Sequence, residues 1–135
     1  MILLDTVVVS ELRKKRPNAH VIAWMRGLRE SEVFLSVVTL GEIERGIRKV
    51  RDTAFAATLT QWLDDLLRLY GDRVLPVTPE IARLWGRLSA QLGHDGADLL
   101  VAATAVAHRL TVATRNVRHF VPTGVQVFDP FKARA

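Results

Sequence analysis

The sequence predicts an α/β fold: a single α/β/α sandwich around a central parallel sheet of about five strands. Three observations carry this. Short apolar runs alternate with longer stretches of helical period along all 135 residues. Strands joined by segments of that length return as right-handed crossovers, which makes them parallel and covers both faces of the sheet. No Pro- or Gly-rich linker divides the chain, so residues 1–135 read as one domain with one sizeable core.

The elements follow in order. "ILLD" (2–5) reads as a buried strand, with no helix yet begun at Asp5. "NAHVIAWMRGLRE" (18–30) places Val21, Trp24, Met25 and Leu28 on one face of a short helix, only part of which the sheet covers. "VFLS" (33–36) is a second strand and "TLGEIERGIRKVR" (39–51) a helix. In "TAFAATLTQWLDDLLRLYG" (53–71), Phe55, Leu59, Trp62, Leu63, Leu66 and Tyr70 fall at helical spacing. "RVLPV" (73–77) is a third strand, and Ile81, Leu84, Trp85, Leu88 and Leu92 stripe the next helix. "ADLLVAATAVAHRL" (97–110) is apolar nearly all round, which marks a central buried helix. "TVAT" (111–114) and "VQVF" (125–128) complete the strands. The three tryptophans lie on helix stripes and read as core rather than as a stacking platform.

Composition narrows the function classes. Hydrophobic content of 49% against 24% charged is that of a globular protein and excludes a disordered chain. The absence of cysteine excludes disulfides and thiolate metal sites and fits a reducing compartment. Uncharged stretches such as "VFLSVVTLG" and "LLVAATAVA" fall far short of the roughly 20 residues that span a bilayer. The first residues lack a basic n-region, and Asp5 interrupts their apolar run, so no secretory leader is read there. A soluble cytoplasmic protein with no membrane partner is expected. The net charge is +5, with 15 arginines against 4 lysines. Arginine grips phosphate through a bidentate fork, so this bias leans towards a nucleic-acid partner, although a GC-rich coding bias gives the same count.

The acids carry the chemistry. In open parallel sheets, ligands bind beyond the carboxyl ends of the strands. Asp5 closes the first strand there, Thr39 and Glu42 open the helix after the second, and Asn116 follows "TVAT". Asp98 lies in the first turn of the buried helix. Each has a structural reading: Thr39-x-x-Glu42 matches a capping box, Asp98 suits a helix N-terminus, and Asn116 suits a turn. Asp5 has the weakest such reading. Together, three carboxylates on one sheet edge repel one another and call for a cation. All-oxygen donors without cysteine select Mg²⁺ or Mn²⁺ over Zn²⁺, and such an ion serves phosphodiester hydrolysis. Cations ring the same places: Arg45, Arg48 and Lys49 after Glu42, Arg115 and Arg118 around Asn116, and "RKKR" (13–16) two turns past Asp5. An acidic centre bordered by arginines is the equipment of a metal-dependent nuclease; a solvated basic surface is the competing reading.

Four stretches, "ILLDTVVVSEL", "SVVTLGEIERGI", "ADLLVAATAVAHRLTVATRNVRHF" and "TGVQVFDP", resemble the PIN domain, and most closely the VapC/FitB-type toxins of bacterial toxin–antitoxin pairs. The resemblance covers essentially the whole chain, in order and at family spacing. It implies a PIN-like α/β/α sandwich and an endoribonuclease that hydrolyses RNA with a metal-activated water and Mg²⁺ or Mn²⁺. Carried over, Asp5, Glu42 and Asp98 are the acids that bind the metal, and Asn116 occupies the position where many relatives have a fourth acid. Thr6 and Thr39 match hydroxyls that support the acids. Beside the resemblance, the flanking Arg45, Arg48, Arg115 and Arg118 are placed to meet RNA, and His119 reads as a surface histidine or, alternatively, as a phosphate contact. The resemblance also implies a small antitoxin partner and a homodimer or a dimer of toxin–antitoxin heterodimers.

The sequence departs from the family pattern in two places. Where relatives read Asp-Thr-Asn after the first strand, this chain has Asp5-Thr6-Val7, which removes an amide that would support the site. His119 stands where many relatives carry an acid. A haloacid-dehalogenase-type phosphatase would need an acid at Val7, and a phospho-receiver an acidic pair before the first strand; neither is present. The remaining alternative is a catalytically weak or inactive PIN-like module that binds antitoxin or RNA without cutting it.

Overall fold

The computed structural model describes residues 1–133. Its strands are β1 (Ile2–Leu4), β2 (Val33–Ser36), β3 (Val74–Leu75), β4 (Thr111–Ala113) and β5 (Val127–Phe128). All pair in parallel, in the order β3-β2-β1-β4-β5. The helices are α1 (Thr6–Arg13), α2 (Ala19–Arg26), α3 (Val37–Arg48), α4 (Thr53–Tyr70), α5 (Pro79–Leu92), α6 (Ala97–His108) and the short α7 (Val117–Phe120). The predicted parallel α/β/α sandwich is therefore the observed fold.

The alternation of β1 divides the core. Leu4 faces one layer with Val8, Val9, Val21, Leu35, Ile43 and Leu59, contributed by α1 to α4 and β2. Leu3 faces the other with Val101, Ala102, Val112 and Phe120, from α6, α7 and β4. Both leucines are fully buried, and each such side chain contributes about 1.5–3 kcal/mol. The expected buried helix is α6, with Leu99 and Val101–Ala105 inaccessible, although Val106 is exposed near its end.

Four local expectations are corrected. A helix does begin directly after Asp5: its backbone is extended, and its side chain accepts from Thr6 N as the N-cap of α1. The β-branched run Val7–Val9 disfavours a helix locally, but burial of Val8 and Val9 overrides that preference. Second, α3 starts ahead of Thr39: Ser36 is its N-cap, accepting from Val38 N, so Thr39–Glu42 is not a capping box. Third, α2 ends at Arg26 with Gly27 as its C-cap, which leaves Leu28 beyond the helix. Fourth, β3 and β5 are two-residue ladders; Pro76, with no N–H to donate, follows β3 directly.

The strand order locates the site. From β1 the chain steps outward to β2 and β3, then returns to place β4 on the other side of β1. The resulting crevice lies beyond the carboxyl ends of β1 and β4, where ligands of open α/β sheets bind.

Candidate metal-dependent nuclease site

Asp5 is the first residue past β1, and its backbone N–H donates to Ala113 O of β4 at 3.0 Å, which fixes it at the crevice. It is 3% exposed. Oδ1 accepts from Thr6 N at 2.9 Å and Oδ2 from the Thr114 hydroxyl at 2.8 Å. Burial is the main force that lifts its pKa from 3.8 to about 6; the Thr114 bond works against the rise, and the charges of Asp98 and Glu42 add to it. The charges of Asp98 and Glu42 thus reach Asp5.

Glu42 is reached through Thr6. The Thr6 hydroxyl stands 2.6 Å from Glu42 Oε1 and 3.2 Å from Thr39 Oγ1. A hydroxyl has one proton, which the short contact to the carboxylate takes, so Thr39 donates to Thr6. Thr39 is fully buried, and this relay ties α1 to α3 at the site. Thr6 therefore bonds Glu42 directly, and Thr39 reaches it only through Thr6.

Asp98, in the first turn of α6, makes no capping bond; its Oδ2 lies 2.9 Å from His119 Nδ1. Asn116 precedes α7 and its side chain caps nothing; its backbone N–H donates to Thr114 Oγ1 at 2.9 Å. Thr114 is thus a site residue that sequence reading missed. Its hydroxyl bridges Asp5 and the Asn116 backbone, and the available signal was a buried hydroxyl at the carboxyl end of a central strand.

Among the described residues, no three His, Cys, Asp or Glu side chains are gathered closely enough to hold a metal ion as they stand. Each acid is turned to a local partner: Asp5 to Thr114, Glu42 to Thr6 and Asp98 to His119. The donor set still fits a hard divalent cation. It is all carboxylate oxygen, and the burial and neighbouring negative charge that raise Asp5 are what such a cation would offset. Val7 does not belong to this set. It packs, half-buried, against the core layer of Leu4 and Val8, so the missing amide is a core position here.

Two clefts border the acids. One, of about 240 Å³, is lined by Arg115, Asn116, Arg118, His119, Asp129 and Lys132. Arg115 is stacked over the Phe131 ring at 4.2 Å, which presents a held rather than a wandering guanidinium. The other, of about 270 Å³, runs from Thr6 and Glu42 past Arg13 to Phe55, Leu59 and Trp62. Arg45 and Arg48 line neither cleft; both are exposed on α3, and Arg48 pairs with Glu44. Of "RKKR", Arg13 lies over Phe55 and Lys14 pairs with Glu11. All three tryptophans are half-buried; Trp24 stacks on Phe128 at 5.4 Å and Trp62 packs on the core. Met25 and Leu28 are also half-buried against that core.

Comparison with known proteins agrees with this architecture. The PIN domain family model matches residues 2–121. The chain is 35% identical to toxin FitB of Neisseria gonorrhoeae over 137 aligned positions, covering 97% of this chain and 99% of that protein. It is 35% identical to the VapC ribonuclease Y4jK of Sinorhizobium fredii, covering 98% and 99%. The crystal structure of FitAcB from Neisseria gonorrhoeae superposes with a TM-score of 0.89 at 34% identity, covering 98% of this chain and all of that one.

Proposed function

The chain belongs to the PIN domain family, and from that premise we propose that it is the toxin of a toxin–antitoxin pair, an endoribonuclease whose centre is Asp5, Glu42 and Asp98. The observation that carries the assignment of the centre is Asp5: a carboxylate buried between β1 and β4 whose pKa is raised to about 6, in part by the charges of Asp98 and Glu42. A fold accepts such a penalty at a binding site, where a counter-charge offsets it.

The three acids would hold Mg²⁺ or Mn²⁺. When bound, such an ion neutralises charge at the scissile phosphate and makes nearby water more acidic. The rest is done by this chain. Thr114 and Thr6 fix the orientation of Asp5 and Glu42. Arg115, Asn116 and Arg118 line the cleft that would receive the phosphates on either side of the cut. The antitoxin is the protein partner, and the apolar groove from Glu42 to Phe55 and Trp62 gives an amphipathic segment a seat beside the acids. Met25 and Leu28, half-buried beside Leu69 and Tyr70, line a second apolar cleft that offers such a segment another seat.

The test is cleavage of RNA by the purified chain. Cutting that starts on addition of Mg²⁺ or Mn²⁺, stops with EDTA and is blocked by a stoichiometric antitoxin supports the proposal. Cutting that is undiminished in EDTA, or full in the complex, contradicts it.

A further inference from the structure

His119 and Asp98 come from different helices, yet Nδ1 of one lies 2.9 Å from Oδ2 of the other. A carboxylate only accepts, so Nδ1 carries the proton of this bond. Asp98 Oδ1 makes no hydrogen bond among the described residues. The histidine does not hang from a free loop. Its backbone N–H donates to Asn116 O at 3.0 Å, and the next residue, Phe120, is fully buried against α6 and β4. The His119 side chain is 61% exposed. A pair so open to water contributes little to stability, so folding supplies no reason for it. The ring also lines the cationic cleft with Arg115, Asn116 and Arg118, and so links that cleft to Asp98.

We propose that His119 is a positioning residue for Asp98. Its Nδ1–H holds Oδ2 and leaves Oδ1 as the atom available to the divalent cation. This rests on the reading of Asp98 as a cation ligand. Carboxylates that bind metals are themselves held by hydrogen bonds, and losing such a partner typically costs about 10–100-fold in metal affinity.

Calorimetric titration of the full chain with Mn²⁺, in the absence of RNA, tests this on four proteins: native, His119→Ala, His119→Asn and Asp98→Asn. We expect His119→Ala to weaken Mn²⁺ binding by about 10–100-fold. His119→Asn should restore most of it, because its amide N–H can stand where Nδ1–H stood. Melting temperatures of the two His119 variants should match the native chain. Native-like Mn²⁺ binding by His119→Ala, with binding lost in Asp98→Asn, would overturn the positioning role and leave the acidic centre intact. Failure of His119→Asn to recover any affinity would overturn the hydrogen bond as the cause. Native-like binding by Asp98→Asn would remove the centre itself.

Discussion

The Thr114 hydroxyl donates to Asp5 Oδ2 at 2.8 Å and accepts from the Asn116 backbone at 2.9 Å, so one side chain at the end of β4 joins the deepest acid of the site to the loop that borders the cationic cleft. Replacing Thr114 with Val keeps the shape and removes both bonds. Asp5 then loses the contact that most opposes the rise in its pKa, which should climb above about 6. Thr114→Val should also cost about 1–3 kcal/mol of stability through unsatisfied buried groups. Carboxyl titration by NMR and thermal melting check the two effects; an unchanged Asp5 titration would show that the hydroxyl has no hold on it.

Asp5 makes the metal-free fold sensitive to pH. Its folded pKa, about 6, lies above its ordinary 3.8, so the folded state favours the protonated form. The contribution of this group is fully present below pH 3.8 and is lost as pH rises through about 6. The difference corresponds to a ceiling of about 3 kcal/mol. Asp5→Asn removes the charge and should melt higher than the native chain at pH 7 to 8 in EDTA, with the gap closing towards pH 4. Mn²⁺ should raise the melting temperature of the native chain and not that of Asp5→Asn. A native chain that melts as high as Asp5→Asn at pH 8 without metal would contradict the buried, repelled carboxylate.

Val7→Asn separates a site position from a core position. Val7 packs against the layer of Leu4 and Val8. An amide there should lower stability by about 1–3 kcal/mol and leave Mn²⁺ affinity unchanged. Tighter Mn²⁺ binding without a loss of melting temperature would return Val7 to the metal site.

The two arginine groups should differ on RNA. Arg118 lines the cleft beside Asn116, whereas Arg45 lies exposed on α3 away from both clefts. With a non-cleaved RNA in EDTA, Arg118→Ala should weaken binding and reduce the slope of log affinity against log salt by about 0.7, the value for one single-strand phosphate contact. Arg45→Ala should leave the slope unchanged. Equal losses from both would place the RNA across α3 instead.

What the sequence makes legible follows from how local each feature is. The Asp5 position is readable because an uncharged strand ends on one carboxylate, and α6 because its apolar residues occur on every face. Helix α1 is not, because Val7–Val9 favour a strand locally and only tertiary burial decides for the helix. Ser36 rather than Thr39 caps α3, and a Ser at a strand end carries no mark that separates these choices. The Asp98–His119 and Asp5–Thr114 bonds join residues 21 and 109 positions apart, and no local pattern encodes them. The placement of Arg45 and Arg48 away from the clefts depends likewise on how α3 is rotated against α1.

Asp5, Glu42 and Asp98, proposed as one cation-dependent centre for cutting RNA, stand or fall together in a single comparison. The most direct measurement incubates native chain and Asp98→Asn with one RNA preparation, each with Mn²⁺ and with EDTA, and resolves the products by length. Discrete fragments are expected only from the native chain with Mn²⁺. Fragments from native chain in EDTA, or the same fragments from folded Asp98→Asn with Mn²⁺, would contradict that centre.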